Sequence, residues 1–185
     1  MAIRFIPSDW YWLASDGRIW SSRAGSLVSP GDANYVAWLA AGNAATPWPA
    51  DLAGAQTTAA LQKVLSPYGL WCDLAAYANA KQWAKASGGY VATINGAPVP
   101  FSTSTESLGL IAGKVARLQQ ANPPAAVQWQ TGERTFTTIA AADFIAASIE
   151  IADFVQATFD RLATVMAGIG AGTITMFSQI DTAFA

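Results

Sequence analysis

The chain has 185 residues, of which 52% are hydrophobic and 12% are charged, with a net charge of −2 and no histidine. A chain of this length can bury a core as one large domain or two small ones, without a disulfide or a metal. It has no basic run of the kind that binds a phosphate backbone, so we expect no nucleic-acid partner.

The usual residues of enzyme catalysis are scarce in this sequence. Without His, the chain lacks the commonest general base, metal ligand and partner of a nucleophilic Ser or Cys. Cys72, the single cysteine, has flanking residues typical of a buried position at the start of a helix. Glu150 and Asp153 are candidates for paired-carboxylate hydrolysis, although their spacing is more typical of the solvated stripe of a helix. We therefore expect no enzyme activity, no cofactor and no metal.

The low charge content indicates a surface that other molecules cover in part. Ordinary soluble domains carry about a quarter charged residues, and large weakly charged surfaces are a feature of subunits in assemblies. The alternative is a monomer with a neutral polar surface. No apolar stretch approaches the roughly 18 residues of a membrane span, so we expect none.

Residues 1–50 predict a small tryptophan-rich module. Segments 10–13 and 18–21 flank Asp16-Gly17, which is a strong hairpin signal. A loop over 26–31 and a helix over 33–41, capped by Asp32, follow. Residues 51–72 predict a linker that contains a short helix over 59–65.

The tryptophans of this module allow two interpretations. Trp10 and Trp12 lie on the same face of the predicted strand, and Trp20 can pair across the hairpin. They either fill the core of a small module or form an exposed platform for sugar rings or a partner chain. We favour the core and retain Trp10, Trp12 and Trp20 as candidate partner-binding residues.

Residues 73–185 predict a second module in which helices alternate with hairpins. A helix over 74–86 precedes a hairpin of 90–94 and 98–101 around Asn95-Gly96. Thr103 and Glu106 form a capping-box pattern before an amphipathic helix that ends at 122–124. A hairpin of 126–130 and 134–139, turning at 131–133, leads into a helix over 141–167, the longest of the chain.

The end of that long helix is predicted from glycines. Gly168, Gly170 and Gly172 alternate with other residues but follow a helix, whereas a dinucleotide fingerprint follows a strand. We interpret them as a joint to a last short helix. The whole pattern predicts an α+β fold of two small modules, with the long helix dominating the second.

Several ordered segments of the sequence match a known pattern. These segments are 78–84, 94–99, 102–103, 127–129 and 139–144 in the second module, and 16–22, 35–42 and 46–49 in the first. Through them, residues 73–185 resemble an uncharacterised domain at the C-terminus of many tailed-phage tail-fibre and tail-fibre-assembly proteins, and residues 16–49 are similar to the short module that often precedes it. That domain has no catalytic residues to transfer, so the resemblance implies only a role in building, connecting or maturing a phage tail.

This resemblance sets the expected function. We expect a virion component of the tail tip or fibre attachment region, made in the host cytoplasm and bound to other tail or fibre proteins and to copies of itself. One alternative is a tail-fibre assembly chaperone that is absent from the mature particle. Another is a carbohydrate-binding module that contacts host glycans through its tryptophans.

Overall fold

A computed structural model of the chain describes residues 5–185, so Met1 to Arg4 of the predicted first module lie outside the described residues. The chain divides into two compact units, Met1–Tyr77 and Ala78–Ala185, called unit 1 and unit 2. The described residues form six α-helices and eight strands, with helices and antiparallel hairpins mixed in both units. The predicted α+β fold class is confirmed.

Unit 1 is built around a four-stranded sheet in the order β3-β2-β1-β4. The predicted hairpin is confirmed: Trp12 pairs with Trp20, and Gly17 takes a φ of +88° in the turn, a conformation that favours glycine. Two further strands were not predicted: β3, which lies in the predicted loop over 26–31 and pairs antiparallel with β2, and β4, which pairs parallel with β1. The strands are β1 (Tyr11–Leu13), β2 (Ile19–Ser21), β3 (Ser26–Val28) and β4 (Thr46–Pro47).

Two helices accompany this sheet. Helix α1 (Ala33–Ala40) begins where predicted, and the Asp32 carboxylate accepts hydrogen bonds from the backbone N–H groups of Asn34 and Tyr35, each 3.0 Å long. Helix α2 (Thr58–Leu65) is capped by Thr57 and runs into a 3-10 turn, Ser66–Tyr68. Neighbouring residues of β1 pack in two different hydrophobic clusters: Trp12 in one and Tyr11 in the other. This is expected for a strand that is buried on both faces.

Unit 2 carries two separate hairpins and four helices, the first of which begins within unit 1. Asn95 and Gly96 turn the first hairpin with positive φ angles of 52° and 77°, as the Asn-Gly pair predicts. The elements are α3 (Leu74–Ser87), β5 (Tyr90–Ile94), β6 (Ala97–Phe101), α4 (Thr105–Leu118), β7 (Ala126–Gly132), β8 (Thr135–Ala140), α5 (Ala141–Gly170) and α6 (Phe177–Phe184).

Prolines explain why the two hairpins do not merge into one sheet. Pro98 and Pro100 alternate along β6 and pair in register with Thr93 and Val91 of β5. Proline has no N–H to donate, so it is tolerated in a strand where its nitrogen faces away from the paired neighbour. The outer edge of β6 therefore lacks two donors, and β5–β6 and β7–β8 remain separate two-stranded sheets.

Three predicted boundaries in unit 2 are wrong. Ser104, and not Thr103, caps α4, because the Thr103 hydroxyl already accepts a 2.9 Å hydrogen bond from the Gly89 N–H. The second hairpin turns at residues 133–134, after an irregular pairing between Gln130 and Gly132. Helix α5 continues through Gly168 to Gly170, and the joint begins at Ala171.

The core of unit 2 lies between the hairpins and helices α4 and α5. Phe144 and Ile151 of α5 are buried as their helical spacing predicts, together with Phe101, Trp129 and Ile139 from the hairpins. Not every apolar residue of α5 faces this core, since Ile149 and Phe159 are 57% and 49% exposed. Within residues 5–185, no helix combines the length and apolarity needed to span a membrane.

Candidate binding sites

The three candidate tryptophans of the first module all lie in the core of unit 1. Trp10, Trp12 and Trp20 are 7%, 1% and 3% exposed, and they pack in one cluster with Leu61 and Leu65 of α2. These leucines fall within residues 51–72, predicted as a linker, and they are fully buried. The three rings therefore present no exposed platform in this fold.

Two tryptophans of this cluster have their indole N–H groups hydrogen-bonded within unit 1. The Trp10 indole N–H donates a 2.8 Å hydrogen bond to the Thr46 hydroxyl, and the Trp48 indole N–H donates a 2.9 Å bond to the Thr57 carbonyl. Buried tryptophan usually finds such a partner. These bonds also fix strand β4 and the start of α2, so the aromatic cluster has a structural use.

Cys72 lies half-buried at the end of the same cluster. Burial, and to a smaller extent the charge of the neighbouring Asp73 carboxylate, raises the pKa of its thiol to about 12. Its backbone N–H donates a 2.7 Å hydrogen bond to the Gln62 side chain. The thiol is therefore protonated at neutral pH and is a poor nucleophile there.

The structure gives the two candidate carboxylates separate surroundings. Glu150 accepts a 3.2 Å hydrogen bond from the Tyr90 hydroxyl, whereas Asp153 is exposed on α5. Desolvation, followed by this bond to Glu150, raises the pKa of the Tyr90 phenol. In the described part of the chain, no three His, Cys, Asp or Glu side chains are grouped where they could share a metal ion.

A cleft of about 760 Å³ opens in unit 2 among the two hairpins and α4; we call it the hairpin cleft. The stacked rings of Phe101 and Trp129, with centroids 5.2 Å apart, are its buried aromatic lining. Phe136, Val91 and Leu110 also line it and are exposed by 63%, 60% and 57%. Apolar walls of this kind are common in ligand-binding clefts.

Two polar features distinguish the hairpin cleft. Trp129 is only 8% exposed, and its indole N–H is buried without a hydrogen-bond partner among the described residues. Leaving such a donor unpaired costs about 1–3 kcal/mol. Among the described residues that line the cleft, Lys114 of α4 carries the only charge.

A second concave surface lies between α4 and α5; we call it the helical groove. It encloses about 510 Å³, and every described residue that lines it is uncharged. Its lining includes Leu108, Val115 and Val155. Phe159, which is half exposed, is the last of the lining residues along α5. Grooves of this kind accept the apolar face of a helix.

Sequence reasoning missed both concave surfaces, although one signal for the cleft was present. The alternation of β8 places Phe136 and Thr138 on the face opposite Ile139, and this pattern leaves a phenylalanine facing solvent. The other lining residues come from elements that are distant in sequence. No local pattern brings them together.

Comparison with known proteins identifies the family of unit 2 and leaves its function open. No curated protein and no solved structure is significantly similar to the chain. Residues 73–184 match the family described as a domain of unknown function, DUF4376. Because this match covers more than half of the 185 residues, the chain belongs to the DUF4376 family.

Proposed function

We propose that this chain is a non-enzymatic structural component of a tailed-phage virion, located at the tail tip or fibre attachment region. It works through contacts with other tail or fibre proteins and with copies of itself. Two things support this: the resemblance of its ordered segments to tail-fibre domains, and the uncharged helical groove of unit 2. The groove is the observation that carries the proposal, because it is suited to protein contacts.

Helix α4, which borders the groove, contains two glycines that no close contact within this chain requires. Gly109 and Gly113 are exposed, and a Cβ atom added to either would meet no atom within 4 Å. Each glycine in a helix interior costs about 1 kcal/mol relative to alanine. Close approach of a second helix would account for them, since glycine lets two backbones come together.

Charges on the same face of α4 indicate that this second helix is α4 of another copy. Glu106, Gly109, Gly113 and Arg117 are spaced three, four and four residues apart and so form one stripe, with exposed charges of opposite sign at its two ends. A two-fold axis midway between the glycines places Glu106 of one copy within about one residue, or about 1.5 Å along the helix, of Arg117 of the other. An antiparallel pair is therefore complementary in charge.

Mass spectrometry of purified mature particles of the phage that encodes this chain tests the virion location. We expect the chain at a fixed ratio to the major tail protein, and that ratio gives its copy number. If it occurs only in lysate, bound to unfinished fibres, it is the assembly chaperone and the virion proposal is wrong.

Charge reversal tests the self-association. We expect purified chain to form a dimer by light scattering, and we expect Arg117→Glu to weaken dimerisation about tenfold, because two pairs become repulsive. The double variant Glu106→Arg with Arg117→Glu restores the pairs and should restore the dimer. Arg161→Glu, on α5, is the control. If dimerisation is unchanged in all three variants, the interface lies elsewhere on the chain.

A further inference from the structure

We propose that the hairpin cleft of unit 2 binds an acidic saccharide, a sugar chain that carries carboxylate groups. This inference does not depend on where in a particle the chain works. It also differs from glycan binding through Trp10, Trp12 and Trp20, because those rings are buried in unit 1.

The unpaired indole of Trp129 indicates that the cleft is incomplete without a ligand. Most buried donors in native proteins have a partner, so an orphan beside a cleft needs an explanation. Trp129 is nine-tenths buried and lines the hairpin cleft. An acceptor oxygen supplied through the cleft, such as a sugar hydroxyl, would satisfy this N–H.

The cleft offers an aromatic ring for the C–H groups of a sugar and amide oxygens for its hydroxyl groups. Phe136 exposes an aromatic face, whose negative potential attracts the polarised C–H groups of a sugar. Gln128 and Gln130 also line the cleft, with amide N–H groups held by the Thr138 hydroxyl at 2.8 Å and the Gly132 carbonyl at 2.9 Å. These bonds fix both side chains and leave their amide oxygens to accept from sugar hydroxyls.

The charge of the lining favours an anionic ligand. Lys114 is the one charged residue among the described lining residues, in a chain whose net charge is −2. Lys114 is a partly buried residue, and a charged pair near the protein surface is stronger than one in open water. The saccharide should therefore carry acidic sugars.

An acidic peptide is the main competitor, and the strand edge disfavours it. Peptides that enter a cleft between strands gain affinity from main-chain hydrogen bonds to a free edge. Pro98 and Pro100 remove two N–H donors from β6. A saccharide does not need main-chain hydrogen bonds to a strand edge, because its hydroxyl groups can bond to side chains.

Calorimetric titration of the full-length chain tests the proposal with two probes. One is a tetrasaccharide of alternating glucuronic acid and N-acetylglucosamine, and the other is the neutral tetramer of N-acetylglucosamine. We expect the acidic probe to bind about tenfold more tightly. Lys114→Met should remove that preference, whereas Lys63→Met, in unit 1, should leave it unchanged.

Two aromatic variants complete the test. Phe136→Ala removes an exposed ring, so the chain should stay folded while both probes bind about fivefold more weakly. Trp129→Phe removes the unpaired N–H together with the five-membered ring of the indole, so both probes should bind more weakly, and circular dichroism checks that this core variant stays folded. No binding of either probe at millimolar concentration, or binding that these variants do not change, would overturn the proposal. So would tighter binding of a tetraglutamate peptide than of the acidic sugar.

Discussion

Gln62 shows how one buried polar side chain organises the segment that follows α2. Its amide oxygen accepts from the backbone N–H groups of Cys72 at 2.7 Å and Asp73 at 3.1 Å. Its amide N–H donates to the Leu70 carbonyl at 2.9 Å and to the Ser66 hydroxyl at 3.0 Å. Gln62 itself is 5% exposed, so its amide group is satisfied by these four bonds within the chain, and they hold the partly buried residues 70–73 against α2.

Replacing Gln62 with leucine should therefore destabilise the chain markedly. The change keeps the side-chain volume but leaves the Cys72 N–H and the Leu70 carbonyl without partners, and each such loss costs about 1–3 kcal/mol. We expect Gln62→Leu to lower the free energy of unfolding by about 2–4 kcal/mol in urea titrations. Lys63→Leu, one residue along and exposed, is the control. Equal stability of the two variants would contradict this assignment.

The Cys72 thiol gives a prediction about pH. A pKa of about 12, raised first by burial and then by Asp73, leaves far less thiolate at pH 8 than an ordinary cysteine has. Three pKa units reduce the thiolate fraction about 1,000-fold, and the greater nucleophilicity of a high-pKa thiolate recovers about 20-fold. Native chain should therefore react with Ellman's reagent about 50-fold more slowly than chain in guanidinium.

The direction of the pH dependence follows from the same pKa. Between pH 7 and pH 10 the native rate should rise about tenfold per unit, because the thiol is still titrating. Asp73→Asn removes the second cause, so this variant should react faster. A native rate that levels off near pH 9 would show an ordinary thiol.

At the scale of elements, a buried polar pair links α3 to α5 within unit 2. The Gln82 amide donates a 2.9 Å hydrogen bond to the Thr158 hydroxyl, and the two residues are 4% and 5% exposed. Thr158 in turn donates to the Val155 carbonyl at 2.7 Å. Thr158 interrupts an otherwise apolar stripe, so its hydroxyl fixes which face of α5 meets α3.

A double-mutant cycle measures this link. Gln82→Leu and Thr158→Val should each destabilise the chain, and their combination should cost less than the sum because one change removes the partner of the other. We expect a coupling energy of about 0.5–1.5 kcal/mol from urea unfolding. Gln120→Leu with Thr158→Val is the matched control, since Gln120 is exposed. Simple additivity for Gln82 would rule out a direct bond.

Elements that depend on neighbouring residues were predictable, and those that depend on distant ones were not. Asn95-Gly96 determines its hairpin by local turn chemistry, and the spacing of Ile111 and Leu118 gives the buried face of α4. Strand β4 exists because Thr46 lies beside Trp12, far away in the sequence. The hairpin cleft has the same origin, because Lys114 and Trp129 meet only after both hairpins and α4 have packed.

At the scale of the whole molecule, tryptophan is distributed very unevenly between core and surface. Of the eight tryptophans, Trp83 of α3 is 60% exposed, Trp38 and Trp71 are partly buried, and the other five are buried: Trp10, Trp12, Trp20, Trp48 and Trp129. Small units gain much of their apolar burial from such large rings. This distribution separates the two interpretations of the aromatic residues, since a binding platform requires exposed rings in unit 1.

Quenching of fluorescence by iodide, an ion that does not enter protein cores, tests this distribution. We expect a small quenchable fraction in the native chain, and Trp83→Phe should abolish most of it because that variant removes the one strongly exposed indole. Trp129→Phe, at a buried position, should lower the emission without lowering the quenchable part. A quenchable fraction that survives Trp83→Phe and exceeds what the partly buried Trp38 and Trp71 supply would contradict the buried positions of Trp10, Trp12 and Trp20.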